Sequence, residues 1–288
     1  MDFQELQYPF EIKKTEIATG EVIAHTDMGD GEPVVFIHGL GSYIPAWSKN
    51  LDELSEHFRC IALDLPGYGK SSKELHPGTM EYYSEVVVNL TAELGIEKFS
   101  VCGHSMGGTI ALKLALLHPE KINKMVLIAP GGAEIYTEEE KHAVQNYLSR
   151  GNILNHNNEQ IAQNVLVNFH FFPGDAKFMI DDRIGIRDSK DFVAHAEIVA
   201  RSAVGVMNSD VPLRLSEITT PTLLLFGTED RMIPNRLVHP QLTPEDVITI
   251  FRESIKNLEI KTIGECGHFV QFEYPSLFNK TTSHFLLR

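Results

Sequence analysis

Basic residues, cysteine and long apolar runs are all in short supply in this chain, and each shortage closes off a class of protein. Lys and Arg together number 25 against 39 Asp and Glu, a formal net charge of −14 over 288 residues. A surface of that sign offers no electrostatic footprint for nucleic acid or an anionic membrane. Neither is expected as a partner, and the charge is read as serving solubility. No stretch approaches the roughly 18 consecutive apolar residues of a membrane span. The opening ten residues, Met1 to Phe10, lack the basic end and apolar core of a secretory signal, so a cytoplasmic location is expected. Cys60, Cys102 and Cys266 are odd in number and widely spaced, with no Cys-x-x-Cys pair. That pattern suits buried free thiols in a reducing compartment. None of the 13 histidines forms a His-x-x-x-His or similar pair, so no metal is expected, and no cofactor.

What remains is a chain of ordinary apolar content, 43% hydrophobic, long enough for one large domain or two small ones. Strands are expected at 12–17, 21–26 and 33–38, with Thr19-Gly20 and Asp30-Gly31 as turns. Val34-Val35-Phe36-Ile37 lacks polar alternation, as a strand covered on both faces does. Further strands are expected at 59–63, 99–102, 125–129, 221–227 and 258–263. The intervening helices fall at 46–58, 80–94, 109–118, 245–255 and 275–287. Alternation of this kind implies an α/β fold with a mostly parallel central sheet and helices on both faces. From Pro130 to about Pro212 the strand pattern stops. Amphipathic segments at 138–148, 159–169, 176–180 and 191–207 suggest an inserted helical cap. The expected division is a core of residues 1–129 and 213–288 with a cap of residues 130–212. The stretch 235–257 looks long for a connection and is read as a surface insertion, with a wall of the site or a dimer contact as the alternatives.

The stretch Val101-Cys102-Gly103-His104-Ser105-Met106-Gly107-Gly108 contains Gly-x-Ser-x-Gly between an apolar run and an alanine- and leucine-rich one. In that setting Ser105 reads as a nucleophile on a sharp strand-to-helix turn. Such a serine sits at positive φ, at a cost of about 1–3 kcal/mol, and Gly103 and Gly107 leave room where a Cβ would clash. A nucleophilic serine needs a base, and the base an orienting acid. Asp230 follows the strand ending Phe226-Gly227, and His268 follows the last strand, both at the carboxyl edge where open α/β sheets gather their functional groups. The neighbouring Glu229 falls outside this pattern.

The order Ser105, Asp230, His268, together with five motifs in sequence, resembles the α/β-hydrolase superfamily over nearly the whole chain. Phe36-Ile37-His38-Gly39-Leu40-Gly41 resembles its oxyanion loop. Asp64-Leu65-Pro66-Gly67-Tyr68-Gly69-Lys70-Ser71-Ser72 resembles its Asp-x-Pro-Gly-x-Gly-x-Ser loop. Gly227-Thr228-Glu229-Asp230 with Pro234 resembles the acid loop, and Gly267-His268-Phe269 with Glu273 and Pro275 the base loop. The resemblance implies acyl transfer: His268 takes the proton of Ser105, Asp230 holds the imidazole, and backbone N–H groups of Leu40 and Met106 bind the oxyanion. His38 and Gly39 support that loop, and His104 packs beneath the elbow.

Specificity is expected from the cap and the loop 42–47, with Trp47, Phe169, Phe172, Phe178 and Phe269 as candidate pocket residues. The expected substrate is a small, largely apolar ester or similar acyl compound, hydrolysed by a serine carboxylesterase acting as monomer or homodimer. The pattern also resembles cofactor-free perhydrolases, monoacylglycerol lipases and carbon–carbon bond hydrolases of dienoate ring-fission products. For the last group Phe269 replaces the usual tryptophan. An arginine for the substrate carboxylate is also required, with Arg183, Arg187 and Arg201 available. Haloalkane dehalogenases and epoxide hydrolases carry an aspartate where Ser105 stands. A slow-turnover, hydrolase-fold ligand receptor is the reading from another class.

Overall fold

The computed structural model describes all 288 residues. Eight strands form one sheet: β1 (Lys13–Glu16), β2 (Val22–His25), β3 (Glu32–Ile37), β4 (Phe58–Leu63), β5 (Phe99–His104), β6 (Ile122–Ile128), β7 (Thr222–Gly227) and β8 (Leu258–Ile263). Their spatial order is β1-β2-β4-β3-β5-β6-β7-β8. β1 and β2 pair antiparallel, β2 meets β4 antiparallel, and every pairing from β4 to β8 is parallel. The chain steps from β3 outward to β4, then returns to the other side of β3 as β5. That reversal opens a crevice at the carboxyl ends of β3 and β5, where Ile37 lies beside Gly103 in register.

Both faces of the sheet are covered, and the period of two is visible in where side chains go. Val35 and Ile37 of β3, Val101 of β5, and Leu224 and Phe226 of β7 join one core. Val34, Phe36, Cys102, Leu223 and Leu225 join the other. The three cysteines are free and buried.

Before β4 stands a single-turn helix, α1 (Leu51–Leu54). After β4 come α2 (Met80–Glu93), capped by the Thr79 hydroxyl, and α3 (Met106–Leu117). Between β6 and β7 the chain is entirely helical, through α4 (Glu138–Tyr147), α5 (Arg150–Asn155), α6 (Asn158–Leu166), α7 (Phe178–Gly185), α8 (Phe192–Met207) and α9 (Val211–Arg214). α10 (Pro244–Ser254) connects β7 to β8, and α11 (Val270–Glu273) and α12 (Pro275–Leu287) close the chain. No helix is long and apolar enough to cross a membrane.

Three expectations change. The helix expected over 46–58 is a 3-10 turn at Ile44–Trp47 followed by α1. Pro45 starts the turn, and Asn50 breaks it by donating its side-chain amide to Gln271 C=O and to Asn279 Oδ1, both at 2.9 Å. Trp47, Leu51 and Leu54 kept the spacing of a helix because all three enter the second core. The expected segment at 176–180 is a 3-10 turn followed by the longer α7, and α5 was not foreseen. The 235–257 connection is no surface insertion: Val247, Ile248 and Phe251 of α10 pack into the first core.

Candidate active site

Ser105 is the residue between β5 and α3, at φ 55° and ψ −117°. Its N–H donates to Ile128 C=O at 2.9 Å, which ties the turn to β6. A Cβ on Gly103 would stand 2.3 Å from Gly107 O, and one on Gly107 would stand 2.2 Å from Ile37 O. Both neighbours are backbone atoms that cannot step aside, so glycine is required on either side of the strained serine. Met106 begins α3, and its N–H has no acceptor one turn earlier within the helix.

The oxyanion-loop residues follow β3. Leu65 N–H donates to His38 Nε2 at 3.1 Å, so that nitrogen carries no proton. Its Nδ1–H then donates to Gly39 C=O at 2.8 Å. Burial lowers the His38 pKa and keeps the ring neutral, which leaves it a fixed brace between two loops. A Cβ on Gly39 would come within 3.1 Å of Ser105 Cβ and 3.2 Å of His104 Nδ1. The loop therefore passes directly over the elbow, and the partly buried Leu40 next to it packs on the first core.

Asp230, three residues past β7, is buried and fully engaged. Oδ1 accepts from Met232 N–H at 2.7 Å and Ile233 N–H at 3.0 Å, and Oδ2 lies 2.8 Å from His268 Nδ1. Glu229 beside it is exposed. His268 follows β8; its N–H donates to Asn168 C=O at 2.7 Å, and its own C=O accepts from His104 Nε2 at 3.0 Å. The His104 and His268 ring centroids are 4.7 Å apart, which brings the base loop against the elbow. Burial holds the His104 pKa well below the usual histidine range, so this ring is also neutral.

The aromatic residues singled out in the sequence divide. Phe169 stacks on Phe269 at 5.0 Å and 8°, Phe172 meets Phe169 edge-on at 5.2 Å, and Phe178 lies 6.1 Å from Phe272. They form a seam between the inserted helices and the base loop, and Phe269 lies 4.5 Å from the His104 ring. Trp47 is not with them. It is fully buried between Phe36 and Phe278 in the second core, so it has no place among pocket residues. Its ring followed the apolar spacing that α1 continues.

The three candidate arginines separate in the same way. Arg187 donates to Asn158 Oδ1, and Arg201 to Glu197 and His76 C=O. Arg183 alone reaches the oxyanion loop, its Nη2 donating to Gly41 C=O at 2.7 Å. Burial lowers the Arg183 pKa, a sign of a cation held away from bulk water. Tyr43 OH donates to the adjacent Asp182 at 2.5 Å. Gly41, Tyr43, Asp182, Arg183 and His195 border a cleft of about 30 Å³, room for a water or two.

Two participants escaped the sequence reading. Asn168 acts through its backbone carbonyl, which leaves no residue-type signal. Glu273, quoted there only as part of a motif, accepts three backbone N–H groups.

A serine on a strained elbow, a buried carboxylate–imidazole pair and a glycine loop over the serine, all at the carboxyl edge of a parallel sheet, are the makings of an α/β hydrolase. A family model described as the alpha/beta hydrolase fold matches residues 32–275, and the chain belongs to that family. Among curated relatives, a 2-hydroxy-6-oxononadienedioate/2-hydroxy-6-oxononatrienedioate hydrolase of Cupriavidus pinatubonensis is 30% identical over 274 residues, covering 90% of this chain and 89% of that protein. The Escherichia coli hydrolase of the same name is 29% identical, covering 92% of this chain and 91% of its own. Among solved structures, a probable hydrolytic enzyme of Pseudomonas aeruginosa superposes with a TM-score of 0.87 at 23% identity, covering 98% of this chain and 96% of that one.

Proposed function

We propose that this hydrolase cleaves a carbon–carbon bond next to a ketone in a small dienoic acid, with Ser105, His268 and Asp230 as nucleophile, base and orienting acid. Residues 130–212 serve as the cap over that site, as their all-helical character suggests. This reading departs from the carboxylesterase expected of the sequence, although the first chemical step is common to both. The observation that carries it is Arg183, a partly buried guanidinium hydrogen-bonded to the oxyanion loop at Gly41. The kinship with 2-hydroxy-6-oxononadienedioate hydrolases supports it.

Ser105 Oγ attacks the ketone carbon while His268 takes its proton, and the N–H groups of Leu40 and Met106 bind the resulting oxyanion. Collapse breaks the bond to the neighbouring carbon. A carbon leaving group departs only if its electron pair is delocalised, so the dienol first ketonises: its 2-hydroxyl loses a proton and the carbon next to the ketone gains one. That leaves a 2-oxo-3-enoate whose released pair spreads to the 2-oxo group as a dienolate and takes the proton back from His268. Arg183 pairs with the carboxylate at that end and fixes the substrate's direction in the site. Water, deprotonated by His268, then releases the acyl group from Ser105 as a second carboxylic acid. Asp230 keeps the proton of neutral His268 on Nδ1, so that Nε2 can act as base.

Ester hydrolysis by the same triad is the competing reading, favoured by the aromatic seam and by Phe269 in place of a tryptophan. The two are separated by comparing 2-hydroxy-6-oxo-6-phenylhexa-2,4-dienoate, followed by loss of its colour, with p-nitrophenyl butyrate. The dienoate is expected to give the higher kcat/KM. Arg183→Gln is expected to lower that value about 10–100-fold, the worth of a charge-assisted hydrogen bond of roughly 1.5–3 kcal/mol, and to leave the neutral ester within twofold. An ester preferred by the wild type, with Arg183→Gln acting equally on both substrates, returns the assignment to a carboxylesterase. Ser105→Ala is expected to abolish both activities.

A further inference from the structure

Glu273 has no part in the steps above, yet its carboxylate joins the base loop to the cap. Oε1 accepts from Gly267 N–H at 2.8 Å; Oε2 accepts from His170 N–H at 3.0 Å and Phe171 N–H at 3.2 Å. Gly267 immediately precedes the base, whereas His170 and Phe171 lie in the cap between α6 and α7. The two segments also bond directly, His268 N–H to Asn168 C=O at 2.7 Å. They touch backbone to backbone, because a Cβ on Gly267 would stand 2.6 Å from His170 N and 2.7 Å from Asn168 O. The Phe169–Phe269 stack closes the same seam one residue along on each side.

The bonds on His268 point in three directions. Its N–H is tied to the cap, its C=O to His104 on the elbow, and its ring to Asp230. A cap that moves to admit substrate must therefore either carry the base loop with it or break these bonds. Glu273 decides which, since one carboxylate holds donors from both segments. Its partial burial raises its pKa, opposed by the three N–H groups that favour the anion.

We propose that Glu273 is a positioning residue for the base: it locks the cap segment 168–171 to the base loop, so that the His268 imidazole is aligned with Asp230 only when the cap is seated. The proposal rests on His268 being the base, and its test separates the two claims. Replacement by glutamine preserves shape but turns an NH₂ group toward N–H donors, so at least one side of the clasp is lost. Glu273→Gln is expected to lower kcat about 10–100-fold with KM within threefold, and to slow fluorophosphonate labelling of Ser105 by the same factor. Glu273→Asp, which keeps the charge but shortens the reach, is expected to recover part of both losses.

In NMR, the downfield Nδ1–H resonance of His268 is expected to broaden or vanish in Glu273→Gln. Phe169→Ala is expected to give a loss in kcat that is not additive with that of Glu273→Gln, because both report the seating of one segment. Asp27→Asn, which breaks the pair with Arg59 near the opposite end of β4, serves as the destabilised control and is expected to keep kcat. The proposal is overturned if Glu273→Gln loses thermal stability while kcat and labelling stay within twofold of wild type, or if the two variants are additive. If Glu273→Gln does not fold, Glu273→Asp is judged by the same two readouts. Retention of activity by His268→Ala would instead remove the base assignment itself.

Discussion

Replacing Asp230 by asparagine tests the arrangement at its most constrained point, and the geometry says which way the new amide will face. In the native chain Oδ1 accepts two backbone N–H groups, from Met232 and Ile233, and Oδ2 accepts from His268 Nδ1. An amide NH₂ in the Oδ1 position would confront two donors, so the carbonyl oxygen must take that place. The NH₂ group is then left in the Oδ2 position, 2.8 Å from Nδ1 in the native geometry. Donating there, it requires a bare Nδ1 and moves the imidazole proton to Nε2. A protonated Nε2 cannot accept the proton of Ser105, so the base is lost without any change of shape. The same substitution in another Ser-His-Asp triad lowers kcat about 10⁴-fold, equivalent to roughly 5–6 kcal/mol of transition-state stabilisation. A loss of that order is expected here, with KM and the melting temperature little changed. Steady-state kinetics and the rate of fluorophosphonate labelling should fall together. An Asp230→Asn protein that keeps more than a tenth of the wild-type kcat would overturn this role of Asp230, as would an equal loss in Glu229→Gln, whose side chain is exposed.

The reassignment of Trp47 to the core predicts that Trp47→Ala costs about 3–5 kcal/mol in urea unfolding while KM changes little; a shifted KM at unchanged stability would restore it to the pocket. Acid is expected to destabilise the fold through neutral histidines, His38 and His104 buried and His195 partly so. Burial lowers the pKa of His38 and His104, and that of His195 to about 4, so the unfolded chain binds more protons once the pH falls below about 6.5. The stability contributed by His195 is complete above that value and is lost toward pH 4. It amounts to at most about 3.4 kcal/mol, and to less because water reaches the partly buried ring. Unfolding measured from pH 7 to 4 should show this decline, and His195→Gln should flatten it; a stability that rises on acidification would contradict the assignment of a neutral ring.

The elements that were legible in advance share one property. Gly103, Ser105 and Gly107 answer to a local backbone requirement, a positive φ with backbone packed on either side, and such requirements select residue types within a few positions. The alternation of apolar strands and amphipathic helices is local in the same sense, and it placed β3, β5, β7 and β8 within a few residues of where they lie. Asp230 and His268 could be named because the ends of those strands could be. Where local signals were ambiguous the reading slipped. The spacing of Trp47, Leu51 and Leu54 fits a helix, but equally fits a turn and a single helical turn facing one core.

Local sequence pattern was enough for the α/β architecture, the elbow and the three residues gathered at the carboxyl edge of the sheet. The folded arrangement was needed to show which of three arginines bonds to Gly41, on which side of the sheet Trp47 is buried, and that Glu273 holds Gly267 together with His170 and Phe171. Those outcomes depend on partners more than 100 residues away and, for Asn168, His170 and Phe171, on backbone atoms that every residue carries. A backbone N–H or C=O leaves no trace in residue type, so its role exists only once the chain has folded around it.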